Sequence, residues 1–221
     1  MNNKKISFIS CVNDREEYKK SLSYIHSLTI PQGFQIETVA IDQTNSMTAG
    51  YNRAMKNSDA KYKVYIHQDV YIINKNFLDD IVKLFSKYPK LGMIGVAGTK
   101  ELSKNATWWL NPNLYGSVYS SHSGPMEFLT FNTVKKDYEK VQSIDGLIII
   151  TQYDFKWRQD LFQGWHFYDA SQCLEFIKSG FDVGIPKQKK PWCIHDCGIV
   201  NLNGYEEDKR IFYENYSDWI T

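Results

Sequence analysis

The sequence predicts an α/β fold with a mostly parallel central sheet and helices on both sides of it. In residues 1–98, short runs rich in β-branched and aromatic residues alternate with amphipathic segments of helical period. Strands that alternate with helices in this way form parallel sheets covered on both faces. The chain has 221 residues, of which 43% are apolar, so it is long and apolar enough to bury a core.

The elements of the first half follow from local patterns. Tyr18, Leu22 and Ile25 share one helical face, and Asn13 or Asp14 can act as the N-cap of that helix. The third helix ends at a proline, which cannot continue it. The strands are expected at residues 6–12, 36–41, 62–67 and 91–98, and the helices between them at residues 13–28, 45–58 and 74–89.

The second half has weaker periodicity. Residues 99–135 are rich in Ser, Asn, Thr, Gly and Trp, and we expect an irregular lobe or long loops there. Residues 141–152 predict one strand, or two strands joined by an Asp-Gly turn. A helix over residues 168–180, a short strand over 181–186 and a closing helix over 204–220 complete the prediction.

Charge and composition narrow the function classes. The net charge is +1, with 26 basic and 25 acidic residues mixed along the chain, whereas nucleic-acid-binding proteins usually carry a basic face. The one dense basic cluster, Lys187, Lys189 and Lys190, is interpreted as a solvated loop. The sequence predicts no signal peptide and no transmembrane segment, so a cytoplasmic location and reduced thiols for the four cysteines are expected.

Three predicted strands end in polar side chains. The first ends at Val12 and Asn13, the second at Asp42, and the third at His67, with Asp69 two residues later. The carboxyl ends of parallel strands meet at one edge of a sheet, and ligands bind there. Because an unpartnered buried carboxylate is costly, we expect Asp69 to point into a cleft at that edge.

The order of these segments resembles that of the GT-A glycosyltransferases, in particular the small bacterial glycosyltransferase-like family. The matching stretches are "ISFISCVND", "IDQ", "AGYNRAM", "YKVYIHQDVYI", "LGMIGVAG", "IDGLIIIT", "FQGWHFYDASQCLEFIKSGFDVGIP" and "HDCG". The resemblance implies a GT-A fold with a Rossmann-like, mostly parallel central sheet. It also implies one catalytic domain over residues 1–221, with a nucleotide-binding half (1–98) and an acceptor-side half (99–221).

This resemblance implies transfer of a sugar from a nucleotide diphosphate sugar, expected to be a UDP-sugar, to an acceptor hydroxyl. The acceptor would be a glycan, a lipid-linked sugar or a peptide. By position, Val12, Asn13 and Asp42 would hold the base and ribose, Asn52 would belong to the nucleotide site, and Asp145 would line the donor sugar. The residues alone leave alternatives open, because Asn13 can cap a helix and Asp42 and Asp145 can each form a turn.

A divalent cation, Mn²⁺ or Mg²⁺, is expected because the departing diphosphate gathers negative charge. Asp69 is the predicted ligand, since hard cations prefer carboxylate oxygens. His67 stands where the family usually has the first Asp of its Asp-x-Asp motif, and we assign it to the donor site. The resemblance makes His195 a second metal ligand. A strand cap at His67 and Asp69, or a zinc site of Cys193, His195 and Cys197, are the alternatives.

Inverting transfer needs a carboxylate that takes the proton of the attacking hydroxyl, and the resemblance places this general base at Asp169. The alternative is a helix N-cap or a first-turn aspartate favoured by the helix dipole. His67 also leaves open a second function, a catalytically degenerate protein that binds a nucleotide sugar without turnover. A nucleotidyltransferase would need a Gly-rich phosphate loop after the first strand, whereas "SCVNDREEY" contains no glycine.

Overall fold

The computed structural model describes all 221 residues as thirteen strands and five α-helices. The strands are β1 (Asn2–Val12), β2 (Gln35–Asp42), β3 (Ala60–Ile66), β4 (Val70–Ile72), β5 (Leu91–Ile94), β6 (Ala97–Thr99), β7 (Leu114–Ser120), β8 (Glu127–Thr130), β9 (Tyr138–Val141), β10 (Ser143–Ile144), β11 (Ile148–Thr151), β12 (Asp182–Pro186) and β13 (Cys193–His195). The helices are α1 (Arg15–His26), α2 (Met47–Asn57), α3 (Phe77–Lys87), α4 (Tyr168–Lys178) and α5 (Tyr205–Tyr216). None of these helices is long and apolar enough to cross a membrane.

A seven-stranded central sheet has the order β2-β1-β3-β11-β5-β12-β9. β1 pairs in parallel with β2 and with β3, and β12 pairs in parallel with β5. β11 and β9 run antiparallel to their neighbours. Five of the seven strands therefore point the same way, which confirms the predicted mostly parallel sheet.

Helices cover both faces of this sheet. Phe8 and Ile9 are consecutive in β1 and lie in different apolar clusters, because successive side chains of a strand point to opposite faces. The Phe8 cluster includes residues of α1 and α3, whereas the Ile9 cluster includes residues of α2 and α4. A third cluster packs α5 against α4.

Caps start two helices at the carboxyl ends of their strands. The Asp14 carboxylate accepts hydrogen bonds from the backbone N–H groups of Glu16 and Glu17, so Asp14 and not Asn13 caps α1. The Ser46 hydroxyl accepts from the Ala49 N–H at 3.1 Å and caps α2. These caps turn the chain back after β1 and β2 and leave the rim of the sheet accessible.

A second sheet has the order β10-β6-β7-β13-β4, with β8 paired to β7. The expectation that residues 99–135 are irregular is wrong for β7 and β8, which pair antiparallel. β8 is mostly exposed and so shows no apolar alternation. Within β7, Gly116 has φ +100°, and a Cβ there would lie 2.0 Å from the Val96 carbonyl oxygen. The close approach of the two backbones therefore requires glycine at this position, and the glycine interrupts the residue pattern typical of a strand.

The prediction of one continuous strand over residues 91–98 is also wrong, because these residues form two strands that belong to different sheets. β5 belongs to the central sheet and β6 to the second, and the chain crosses between them at Gly95 and Val96. A Cβ on Gly95 would lie 2.8 Å from Cβ of Ile144. Residues 141–152 likewise supply β10 and β11 to different sheets, so they form two strands that do not pair with each other.

Candidate active site

A cleft of about 290 Å³ lies at the rim where β1, β2 and β3 end. Its lining, which defines the rim cleft, comprises Cys11, Val12, Asn13, Gln43, Thr44, Met47, His67, Gln68, Asp69 and Trp165. Three strand ends thus converge on one cleft, as the sequence predicted. Nine of the ten lining residues come from residues 1–98, and Trp165 is the one contribution from the second half of the chain.

Residues 67–69 form the turn between β3 and β4. The His67 N–H donates to the Leu147 carbonyl at 3.0 Å, and the Val70 N–H donates to the His67 carbonyl at 3.2 Å. The Asp69 carbonyl accepts from the Asp196 N–H at 2.9 Å. Backbone hydrogen bonds therefore hold this turn against the segments at Leu147 and Asp196. The position of the turn, from which its side chains project, is fixed by these bonds.

Gln68 joins the ends of β1 and β3, a role that the sequence did not predict. Its Oε1 accepts from the N–H groups of Asn13 and Asp14, each at 2.9 Å, and its amide nitrogen donates to Asn13 Oδ1. The Asn13 side chain is therefore oriented by Gln68. The one signal in the sequence was the position of Gln68 between two candidate site residues.

His67, Asp69 and His195 form a cluster in which one ligand atom from each lies within 4.8 Å of the others. His195 is the last residue of β13 and lies opposite Val70 in the antiparallel β4–β13 pair. Its Nε2 lies 3.5 Å from Asp69 Oδ1, and both atoms are buried without a hydrogen-bond partner. Two ligands bound to one ion at about 2.1 Å also lie about 3–3.5 Å apart, so this arrangement fits a small divalent cation.

The cluster perturbs the protonation of its members. Burial raises the pKa of the Asp69 carboxyl, but the adjacent His195 imidazole and the charge of His67 hold it below its ordinary value. Burial lowers the pKa of His67 below its ordinary value despite the opposing charge of Asp69, and a neutral imidazole is the form that binds metals. Burial also lowers the pKa of His195, but Asp69 and Cys197 outweigh it and raise the value to about 10.

Tyr168, the first residue of α4, connects this cluster to the turn at Asp145 and Gly146. Its hydroxyl lies 2.5 Å from His67 Nε2, within hydrogen-bond distance. A Cβ on Gly146 would lie 2.1 Å from the same hydroxyl oxygen. The absence of a side chain at Gly146 therefore makes room for the contact between Tyr168 and His67.

Asp169 follows Tyr168 and has the protonation behaviour of a base. Burial, reinforced by the charge of Asp145, raises the pKa of Asp169 to about 7. Its Oδ1 accepts from the Ala170 N–H at 2.8 Å. The N-cap of α4 is Phe167, so Asp169 does not occupy the capping position; it lies in the first turn of the helix, as the alternative interpretation predicted. Asp145 accepts from the Leu147 N–H at 2.9 Å, as the turn alternative predicted.

Three predicted donor-site residues, Asp42, Asn52 and Asp145, do not line the rim cleft, and neither does the predicted base Asp169. Asp42 and Asn52 are engaged elsewhere. The Asp42 carboxylate pairs with the Arg15 guanidinium. The Asn52 amide donates to the Trp157 carbonyl and accepts from the Trp157 N–H, both at 2.9 Å. Val12, Asn13, His67 and Asp69 lie at the cleft, whereas Asp42 and Asn52 fasten neighbouring segments.

The zinc alternative at residues 193–197 finds no support in the placement of Cys193. This thiol is completely buried in the apolar cluster on the Phe8 face of the central sheet. The groups that the fold assembles around His195 for a metal are His67 and Asp69.

Solved structures with this fold include glycosyltransferases. The chain superposes on the 1–349 fragment of S. aureus TarS in complex with UDP with a TM-score of 0.61 and 11% identity, covering 95% of this chain and 64% of that one. A complex of the same fragment with UDP-GlcNAc gives 0.61 and 9%, with coverages of 96% and 66%. The mannosyltransferase PcManGT from Pyrobaculum calidifontis, with GDP-Man and Mn²⁺, gives 0.56 and 9%, with coverages of 94% and 60%.

These likenesses establish the GT-A type of fold, and the chain spans about two thirds of the structures it matches. No curated protein is significantly similar to it in sequence. The family described as "Glycosyltransferase like family" matches residues 7–216, nearly the whole chain. Together with the rim cleft and its buried acidic and imidazole groups, this match shows that the chain belongs to that glycosyltransferase family.

Proposed function

We propose that the chain transfers a sugar from a UDP-sugar to an acceptor hydroxyl, with inversion at the anomeric carbon and with the help of Mn²⁺ or Mg²⁺. The observation that carries the proposal is the pair of orphaned buried atoms, Asp69 Oδ1 and His195 Nε2, which lie 3.5 Å apart beside the rim cleft. The 3.5 Å contact between them is longer than an ordinary hydrogen bond, and buried polar atoms in native proteins nearly always have close partners. A cation bound between Asp69 and His195, which would displace the proton of His195, would supply the missing partner to both.

Asp69 and His195 would hold the cation, with His67 as a third ligand or as a contact to the donor. When bound there, a divalent cation neutralises charge on the diphosphate leaving group. The two imidazoles favour Mn²⁺ over Mg²⁺, because Mg²⁺ prefers oxygen ligands. A UDP donor is proposed because TarS, which shares the fold, binds UDP and UDP-GlcNAc.

The remaining groups have distinct roles in this proposal. Val12 and Asn13 hold the nucleoside at the end of β1, with Asn13 oriented by Gln68. Trp165, which is 50% exposed on the cleft wall, offers an apolar face to the donor or the acceptor sugar. Asp169 accepts the proton of the attacking hydroxyl, and its pKa of about 7 matches the value that suits a base near neutral pH.

The proposal is tested by the effect of UDP on the melting temperature of the protein. A ligand that binds only the folded state raises this temperature, so we expect millimolar UDP to raise it and added Mn²⁺ to enlarge the shift. GDP and dTDP in parallel samples measure the preference for uridine. The absence of a shift with all three nucleotides, with or without Mn²⁺, would contradict the proposal.

The binding-only alternative predicts a different result. A degenerate protein would show the UDP shift, but prolonged incubation with UDP-sugars and Mn²⁺ would release no sugar and no UDP. Slow hydrolysis of the donor in the absence of an acceptor, followed by chromatography of released UDP, separates the two functions.

A further inference from the structure

A depression larger than the rim cleft lies outside it and is lined by lysines. It has a volume of about 740 Å³ and is called the lysine groove here. Its six lysines are Lys75, Lys83, Lys87, Lys187, Lys189 and Lys190, and the acidic residues among its lining are Asp80 and Asp137. The groove therefore holds an excess of four positive charges in a chain whose net charge is only +1.

Most of this charge is not neutralised by the protein. Lys87 pairs with Asp137, and Lys83 pairs with Asp79 outside the groove lining. Lys187, Lys189 and Lys190 make no ion pair, and neither does Lys75, which donates to the Ser27 hydroxyl instead; all four are exposed.

The lysines come from separate elements that the fold holds in place. Lys83 and Lys87 lie four residues apart on α3, so they share one helical face. The loop that carries the other lysine cluster is fixed by the Gln188 amide, which donates to the Val96 carbonyl at 2.7 Å, and by the Lys187 N–H, which donates to the Asp137 carbonyl at 2.9 Å. The short basic cluster that the sequence suggested as a solvated loop is thus one wall of a preformed groove.

The lysine groove and the metal cluster lie at opposite ends of one strand pair. In the β4–β13 pair, His195 faces Val70 at the cluster end and Cys193 faces Ile72 at the groove end. Ile73 and Trp192, the next residues, line the groove. Three residues of strand span about 10 Å, so the groove begins about 10 Å along the strand from the cluster.

We propose that the lysine groove binds phosphate groups carried by the acceptor, about 10 Å along the β4–β13 pair from the metal cluster. The role of the ligand as acceptor rests on the proposed function, whereas its binding to the groove does not. Lysine ammonium groups bind phosphate oxygens through charge-assisted hydrogen bonds, and a concave site with cations from several elements suits a narrow anionic chain.

The lining argues against a membrane or a nucleic acid as the partner. None of the large exposed apolar side chains of the protein lines the groove, whereas membrane-binding surfaces insert such groups. Its Trp192 is buried and its Tyr119 is half-buried, so neither ring is free to stack on bases as single-stranded nucleic acids require.

The experiment measures binding of short-chain inorganic polyphosphate by calorimetry, without added metal. We expect binding to the parent protein, and a loss of about tenfold or more in the triple variant Lys187→Ala, Lys189→Ala, Lys190→Ala. The control triple variant Lys19→Ala, Lys56→Ala, Lys104→Ala removes the same charge from exposed positions outside the groove lining, and we expect it to lose less than about twofold.

Several outcomes would overturn the proposal. These are no binding of polyphosphate, an equal loss in both triple variants, or binding to phosphatidylglycerol vesicles without binding to polyphosphate. If the first triple variant does not fold, the pair Lys75→Ala, Lys83→Ala tests the opposite side of the groove. The UDP-dependent melting shift is measured on the same samples, so failure of the nucleotide site is distinguished from failure of the groove.

Discussion

The rim cleft and the lysine groove differ in size and in how they hold charge. The smaller rim cleft, about 290 Å³, carries Asp69 and adjoins His195, and both present atoms withdrawn from water. The larger lysine groove, about 740 Å³, displays its lysines in solvent. A buried charge requires a partner or a ligand, whereas an exposed ammonium is satisfied by water. Burial of ionisable atoms, rather than volume, is therefore the reason for placing the proposed chemistry at the rim cleft.

The largest expected effect comes from Asp169, the proposed general base. Asp169→Asn keeps the shape of the side chain but cannot accept a proton, so we expect transfer or donor hydrolysis to fall by roughly 10²–10⁴. The UDP-dependent melting shift should remain. Asp208→Asn is the matched control, because Asp208 is also a largely buried first-turn aspartate with a raised pKa. A large loss of UDP binding in Asp169→Asn would contradict its role as base.

The pH dependence of the parent enzyme supplies a second readout for Asp169. A base must be ionised, so a pKa of about 7 predicts a rate that rises about tenfold per pH unit below pH 7 and then levels off. The same shift acts on stability, because between pH 3.8 and 7 the folded state binds this proton more tightly than the unfolded state. The free energy of unfolding should fall as pH rises through that window, and Asp169→Asn should reduce the slope.

The metal cluster should show the next largest effect. Asp69→Asn removes a charged ligand and should weaken Mn²⁺-dependent UDP binding about tenfold or more, which is about 1.4 kcal/mol. His195→Ala should do the same and leave metal-free UDP binding nearly unchanged. His166→Ala is the matched control, since the His166 imidazole contacts the Asn203 carbonyl outside the cluster. Titrations of UDP with and without Mn²⁺ measure these effects, and equal binding by Asp69→Asn and the parent would indicate a purely structural carboxylate.

The smallest expected effect is a difference in how strongly salt weakens ligand binding at the lysine groove and at the rim cleft. Exposed charges are screened by salt much more than buried ones. With about three phosphate contacts, doubling the NaCl concentration should weaken polyphosphate binding to the lysine groove about fourfold. Mn²⁺-dependent UDP binding at the rim cleft should change less, and an equal salt dependence at both places would remove the distinction between them.

The sequence predicted the elements that build the rim because their signals are local. Alternating strands and helices located β1 to β3 within a few residues, and the polar residues after each strand located the cleft. No strand was predicted for residues 193–195, but the assignment of Asp69 and His195 to one metal site agrees with the 3.5 Å separation of their side chains. The assignment of His195 as a metal ligand stays a prediction.

What the sequence could not predict depends on contacts between distant segments. Gln68 holds Asn13 across 55 residues of chain, and nothing in either residue's neighbours signals this bond. The division of residues 91–98 between two sheets depends on the close approach of Gly95 to Ile144. The lysine groove was missed because its lysines are far apart in sequence, and only three of them, in residues 187–190, form a visible cluster.

The bonds of Gln68 also link two parts of the rim cleft. Because its amide joins Asn13 to the turn between β3 and β4, the proposed nucleoside contact Asn13 and the proposed metal ligand Asp69 belong to one connected side of the cleft. The other side carries Trp165, and the neighbouring His166 imidazole contacts the Asn203 carbonyl in a segment bounded by Gly198 and Gly204, which have φ of +60° and +83°. If the cleft binds the donor as proposed, we expect the nucleoside and the cation to be held or released together, and any opening for the donor to come from the Trp165 side.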